Sequence, residues 1–229
     1  MKTAGLLSLL IALPVFAASK RSDDIKRIHA SATVLNEIMH AKDGGIPQDL
    51  LQKAYCVGII PSLKRAGFIV GGKYGKGLIT CRLHDTDAWS APSMIVLESG
   101  SIGFQIGGGE TDVIFTVMNQ GGRNALDKDK VTLGGDVAAM GGPVGREVQA
   151  QTDAMMRAQI LSWSRSRGIF AGVSLEGASL RPDDEDNQAL YGRAITQKET
   201  LEGAVPAPAG AKSLYAELAR YAPKAQTGG

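Results

Sequence analysis

Six basic residues, Lys53, Lys64, Arg65, Lys73, Lys76 and Arg82, fall within a 35-residue stretch, 50–84, that contains no Asp or Glu. Protein surfaces ordinarily mix both signs, so an acid-free basic stretch points to an anionic partner. Glycine punctuates it. KRAGFIVGGKYGKG, residues 64–77, opens a segment in which 17 of the chain's 29 glycines lie between Gly67 and Gly145. Glycine lets a backbone bend sharply or pack closely. The first chemistry to test is phosphate cradling. Gly67, Gly72 and Lys73 fit G-x-x-x-x-G-K, but Tyr74 stands where a Ser or Thr hydroxyl would meet magnesium. The intervening Phe-Ile-Val-Gly reads as strand rather than as a flexible cradle, so a nucleotide loop is not expected.

Other chemistries fail on spacing. Gly172-Val-Ser174-Leu-Glu-Gly177 has one residue too many for a G-x-S-x-G nucleophile elbow. His29, His40 and His84 are scattered, and no Cys/His cluster suits a metal. Asp183, Glu185 and Asn187 alternate like the start of a calcium loop, yet Gln188 replaces the required glycine and Ala194 the bidentate acid. That segment is expected to be a solvated acidic turn. Asp85 and Asp87 are close in sequence, but their alternation in a turn gives no reason to expect paired acid–base chemistry. The residues therefore suggest a non-catalytic protein without a cofactor. A second acid-free region, 154–173, adds Arg157, Arg165 and Arg167. An anionic phospholipid surface suits such patches, at roughly 1 kcal/mol per basic residue. The competing reading is solvation of strand edges by lysine. The chain's net charge of +2 is too small for general nucleic-acid binding.

The elements that hold these residues follow from periodicity. Residues 20–42 predict an amphipathic helix with Ser22 as N-cap, Asp23 and Asp24 in its first turn, and a stripe of Ile25, Ile28, Ala32, Leu35 and Met39. Lys20, Arg21, Lys26 and Arg27 cluster at its start. Such a helix either lies in a membrane interface or packs on the domain core. Pro47 opens a short second helix reaching about Tyr55. From Cys56 to Gly145, short apolar runs alternate with glycines. That texture predicts strands in a strongly bent, glycine-rich antiparallel sheet or barrel-like core, with Pro92 and Pro143 at strand starts and Gly121-Gly122 in a loop. Strand is expected for 155–165, glycine-strand texture again for 168–180, a helix near Gln188–Tyr191, a linker at 205–211 and a short helix over Ser213–Tyr221. The fold class is α+β.

The N-terminus reads as a signal peptide. Lys2 precedes an apolar run from Gly5 to Phe16, and Val15-Phe16-Ala17 places cleavage after Ala17. The run is too short to span a bilayer. The expected organisation is a signal peptide over 1–17, one domain over 18–204, and a linker, short helix and flexible tail over 205–229, in a periplasmic or secreted protein peripheral to a membrane. Cys56 and Cys81 could pair in an oxidising compartment, a bridge worth roughly 3 kcal/mol, or remain two buried thiols.

Four ordered segments carry a resemblance: KRAGFIVGGKYGKGLI, WSAPSMIVLESGSIGFQIGGGETDVI, VTLGGDVAAMGGPVGR and SRSRGIFAGVSLEG. Over about Pro47 to Tyr191 the chain resembles the SYLF-domain family, also called the Ysc84-type actin-binding domain, in the form of a bacterial exported member. The resemblance implies binding of phosphoinositides or other acidic phospholipids without catalysis. For an exported chain with no SH3 or FYVE domain, an anionic bacterial lipid is the expected ligand, and actin binding follows only by analogy. Lys64, Arg65, Lys73, Lys76 and Arg82 are the expected headgroup contacts, assisted by Lys20, Arg21, Lys26 and Arg27. The alternative is a structural or protein-interaction module of the cell envelope.

Overall fold

The structure is a computed structural model that describes residues 12–41, 45–67, 70–83, 88–102, 109–144, 158–166 and 168–223. In chain order the elements are α1 (Ala12–Met39), α2 (Gln48–Lys53), β1 (Cys56–Gly67), β2 (Val70–Cys81), β3 (Ser93–Ile102), β4 (Gly109–Val117), α3 (Gln120–Ala125), β5 (Val131–Thr132), β6 (Ala139–Gly141), β7 (Ile160–Ser166), β8 (Ile169–Gly172), β9 (Ser179–Pro182), α4 (Asp184–Tyr191), α5 (Gln197–Leu201) and α6 (Lys212–Tyr221).

Nine strands form one sheet in the order β5-β9-β3-β2-β1-β4-β7-β6, with β8 also paired to β7. Pairing is antiparallel throughout except between β6 and β7. The long strands β1–β4 make a Greek key, because β4 returns beside β1 rather than beside β3. The sheet curls strongly into a half-barrel, as the glycine-strand texture predicted. One cause is visible in β1. Pro61 has no N–H for the ladder, and Ser62 takes a left-handed φ of 57°. The register of β1 against both neighbours shifts there. Asp112 on β4 accepts the stranded Ser62 N–H at 3.0 Å. This bulge bends the central strand. Close approach demands glycine on the same strands. A Cβ on Gly77 would lie 2.2 Å from the Ile59 carbonyl oxygen, and one on Gly58 would lie 2.1 Å from Cζ of Phe115.

Alternation of side chains gives the sheet two apolar faces. Val57, Ile59, Leu78, Met94, Ile114, Leu161 and Trp163 pack under α1, α2 and α6. Ile60, Ile79, Ile95, Phe115 and Val117 point the other way, against Val131, Leu133, Leu175, Leu180 and Leu201. Cys56 and Cys81 face each other across β1 and β2, fully buried, and are joined by a disulfide.

Several local expectations change. Helix α1 begins at Ala12, so Ser22, Asp23 and Asp24 lie in its interior and not at a cap. Ala12–Ala17 is continuous with it, while residues 1–11 lie outside the described residues. The strand expected over 155–165 starts at Ile160, and 155–157 lie outside the described residues. Pro143 follows β6 rather than opening a strand. Gly121-Gly122 sit inside α3, because the Asn119 side chain accepts the Gly122 N–H and caps a helix. In the 205–211 segment, Ala211 is fully buried in a 3-10 turn, and Leu214 and Leu218 of α6 enter the core beside α1. No helix among the described residues is long and apolar enough to cross a membrane.

Candidate functional site

The basic residues singled out from sequence divide into two groups. The first is occupied inside the protein. Spacing of three on α1 brings Asp24 and Arg27 to one face, where the Arg27 guanidinium donates to Asp24 at 2.6 Å and to Asp186 of α4 at 3.1 Å. Lys76 of β2 reaches Asp183 at 2.6 Å and Asp186 at 2.8 Å. Lys20 pairs with Glu185 at 2.5 Å. Asp183 also caps α4 by accepting the Asp186 N–H. The acidic turn is therefore solvated only in part: Asp184 and Glu185 are exposed, as expected, but Asp183 and Asp186 are not. Asp183 and Asp186 are 7% and 4% exposed, and Asn187 is buried with its amide bonded to both backbone groups of Met94. Lys26 is exposed and pairs with Asp23.

Electrostatics in this cluster are uneven. Burial, then the Asp186 charge, pushes the Asp24 carboxyl up to about 7. Its second oxygen is buried without a hydrogen-bond partner among the described residues. Burial would also push Asp186 up, but the Lys76 hydrogen bond and charge, with Arg27 and Lys20, hold it below the ordinary carboxylate value. Lys76 is raised for the reciprocal reason: Asp183 and Asp186 outweigh its burial. The apolar stripe of α1 is committed as well. Ile28, Leu35 and Ile38 are fully buried in the core, so in this conformation the helix does not offer them to a membrane.

Arg82 is a clamp. Its guanidinium donates to the carbonyls of Ala54 (3.1 Å), Leu51 (3.4 Å), Gln52 (3.3 Å) and Ala222 (2.7 Å) and lies 4.3 Å from the Trp89 ring centroid. It thereby satisfies carbonyls at the ends of two helices. Arg165 behaves similarly, joining Asp112 at the β1 bulge (2.7 Å) to Glu37 of α1. Arg157 and Arg167 lie outside the described residues.

The second group is unpaired. Lys64 and Arg65 are exposed near the end of β1 and Lys73 is half-buried on β2. Arg65 lies directly opposite Lys73, and Lys64 opposite Tyr74 on one side and Glu110 on the other. None of the three makes an ion pair among the described residues, and neither does exposed Arg21 on α1. Burial first, and then the Arg65 charge, holds the Lys73 ammonium below its ordinary value. Arg65 and Lys73 flank a cavity of about 50 Å³ that is also lined by Leu63, Thr111, Val113, Ser164 and residues 173–175. Sequence reasoning missed Thr111 of β4 and Ser164 of β7, because isolated hydroxyl residues on separate strands carry no spacing signal, and it weighed Ser174, in the loop after β8, only as a nucleophile. A larger cleft of about 670 Å³, between α5, β9 and the start of α4, mixes Asp127, Asp129, Asp184 and Glu199 with Lys128, Arg181 and Lys198. It has no dominant charge and does not include the unpaired cations.

The catalytic and metal motifs weighed from sequence have structural places. The G-x-x-x-x-G-K residues sit on the β1–β2 hairpin, not before a helix. Ser174 accepts the Glu176 N–H in a turn. No cluster of His, Cys, Asp and Glu suited to a metal occurs among the described residues.

A family profile described as Ysc84, "Las17-binding protein actin regulator", matches residues 98–221. LAS seventeen-binding protein 3 of Saccharomyces cerevisiae is 36% identical over 195 residues, 84% of this chain and 42% of that protein. Protein YSC84 of the same yeast is 36% identical over 182 residues, 78% of this chain and 38% of its own length. SH3 domain-containing YSC84-like protein 1 of Homo sapiens is 35% identical over 185 residues, 80% of this chain and 54% of that protein. The chain thus spans about half the length of these relatives or less. Identity sustained over most of the chain, on the sheet and helices described above, places it in the Ysc84 family of SYLF-domain proteins.

Proposed function

We propose that this domain is a non-catalytic module that binds anionic phospholipid or phosphoinositide headgroups, in an exported protein that sits at a membrane surface. The observation that carries the reading is the segregation of its cations. Lys20, Arg27, Lys76 and Arg82 are engaged within the fold, whereas Lys64, Arg65 and Lys73 on the β1–β2 hairpin make no ion pair among the described residues. Three basic residues near an anionic surface contribute roughly 3 kcal/mol at about 1 kcal/mol each, an increase in partitioning of the order of a hundredfold. The headgroup set expected from sequence accordingly contracts to these three, with Arg21 as a neighbour in charge only.

Export is part of the same reading. Cleavage after Ala17 would leave Lys20, Asp24, Arg27 and the apolar stripe of α1 in place. Sequencing of the mature protein should begin at Ala18, and an uncut N-terminus in an export-competent host would overturn that element.

Vesicle co-sedimentation tests the lipid reading. Retention should rise with anionic lipid content, fall with salt as exposed charge interactions do, and disappear in the triple variant Lys64→Glu, Arg65→Glu, Lys73→Glu. Retention indifferent to lipid charge, or surviving the triple reversal, would sink the mechanism. A second reading draws on the names of the relatives, one of which is a LAS seventeen-binding protein, and of the family, described as an actin regulator. In that reading the same cations meet an acidic protein. Co-sedimentation with filamentous actin without lipid, together with loss of vesicle retention, would favour it.

A further inference from the structure

The cavity beside Arg65 and Lys73 deepens the anion-binding reading, on which it rests. We infer that it is a site for one phosphoryl group, carried on a lipid headgroup or on a soluble phosphate monoester, with Arg65 and Lys73 supplying charge and Thr111, Ser164 and Ser174 supplying hydroxyl donors.

Four observations converge. First, Arg65 and Lys73 are directly opposite in antiparallel register, an arrangement that like charges disfavour. No acid among the described residues pairs with either, so the free protein carries a repulsion that a bound anion would reverse. The Lys73 ammonium is held below its ordinary value first by burial and second by the Arg65 charge, so the repulsion adds to a shift that burial begins. Second, the Thr111 and Ser164 hydroxyls line the cavity and make no hydrogen bond among the described residues, while Ser174 Oγ accepts the Glu176 N–H and keeps its own proton to donate. Third, Gly109 stands opposite Arg65 on β4, and a Cβ there would meet open space. The guanidinium is therefore uncovered on that side. Fourth, the cavity of about 50 Å³ has a buried floor of Leu63, Val113 and Leu175. A single water needs about 10–15 Å³ of such space, so the cavity has room for a tetrahedral oxyanion.

Selectivity follows from the donor count. A guanidinium fork, an ammonium and three hydroxyls match the three free oxygens of a monoester dianion better than the two of a diester. The site therefore discriminates terminal phosphates from the bridging phosphate that every glycerophospholipid carries.

Calorimetry of the mature chain with inorganic phosphate and with glycerol 3-phosphate tests the soluble arm. Vesicles of phosphatidic acid or phosphatidylglycerol at matched surface charge test the lipid arm. Saturable phosphate binding is expected, weakened at least tenfold in Lys73→Met. Retention on phosphatidic acid should exceed that on phosphatidylglycerol several-fold, and the excess should vanish in Thr111→Val with Ser164→Ala while general anionic retention persists. Vesicle retention without saturable phosphate binding, or retention that is measurable and equal on the two lipids, overturns the site and leaves the lipid-surface reading standing. Saturable phosphate binding with no vesicle retention keeps the site and refutes the lipid-surface reading. Thermal unfolding of each variant separates loss of ligand from loss of fold: Lys73→Met should be at least as stable as the parent, and a large loss of stability would contradict the repulsion on which the site is argued.

Discussion

Lys73 and Lys76 lie three residues apart on the same strand, and therefore on opposite faces of the sheet, and replacing each with methionine should have opposite consequences. Methionine keeps an unbranched stem of comparable length and removes the charge. Lys76 holds Asp183 and Asp186, whose side chains are only 9% and 5% exposed. Deleting one partner of a buried ion pair costs about 3–5 kcal/mol, because the other charge is left uncompensated. Arg27 still faces Asp186 at 3.1 Å, and Asp183 still caps α4. The lower bound, about 3 kcal/mol, is therefore expected for Lys76→Met, which for a chain of this size lowers the transition by roughly 6–12 °C. Lys73 has Arg65 opposite and no described acid, so Lys73→Met should change stability by no more than about 0.5 kcal/mol, or raise it. Urea unfolding gives both numbers, and vesicle retention at low temperature gives the functional half. Folded Lys76→Met should keep retention that Lys73→Met weakens by about fivefold, the share of one cation. Equal stability losses, or a Lys76→Met variant within about 0.5 kcal/mol of the parent, would refute the division of the cations into internal and external sets.

Asp24 sets a pH dependence. Its carboxyl titrates near 7 in the fold against 3.8 as its ordinary value, so between these the folded state holds a proton that the unfolded chain has released. Stability should fall as pH rises through about 4 to 7, by up to about 1.4 kcal/mol per pH unit from this group. Asp186 is shifted the other way, and its contribution is lost only as pH drops below about 4. Urea unfolding at pH 5 and pH 8 should show the slope, and Asp24→Asn should flatten it; an unchanged slope would remove Asp24 as its source. Loss of the Cys56–Cys81 bridge in the double alanine variant should cost about 3 kcal/mol from the released loop, read from the same titrations, and a cost below about 1 kcal/mol would mean that strand pairing alone holds the hairpin. Gly58→Ala would drive a methyl against the Phe115 ring and should cost about 1–3 kcal/mol. Phe115→Leu, destabilising by itself, should make the alanine less harmful in the double variant.

Much of the fold was legible because hydrophobic periodicity and glycine texture are local signals. The stripe on α1, strands β1–β4 and the terminal helix follow from residues a few positions apart. The misplaced boundaries have local causes that periodicity does not weigh. Ser22 resembles an N-cap, yet the chain before it is already helical. Gly121-Gly122 read as a loop, yet the Asn119 cap turns both glycines into helix. The site was legible only in part. Lys64, Arg65 and Lys73 were visible as cations, but so were Lys76 and Arg82, and composition alone ranks all five alike. What separates them is long-range: Asp186 lies 110 residues from Lys76, and the Ala222 carbonyl lies 140 residues from Arg82. An acid-free window reports which charges lack neighbours in sequence, not which lack them in space.

The curl of the sheet connects the glycines to the cations. The bulge at Pro61-Ser62 shifts the register of β1 immediately before Lys64 and Arg65. Leu63 and Arg65 alternate onto one face, where Leu63 joins the buried floor and Arg65 meets Lys73. Asp112 accepts the Ser62 N–H at that bulge and is itself held by Arg165, which also reaches Glu37 on α1. The position of the unpaired cations thus depends on a carboxylate anchored to the helix that covers the opposite side of the sheet. Glycine at 75 and 77 lets β2 approach the bulged strand, since a Cβ at Gly75 would lie 2.7 Å from Ile60. The acid-free, glycine-rich stretch is therefore one structural device: the glycines and the bulge set the strand positions, and those positions leave two of its lysines and one arginine without an ion pair among the described residues.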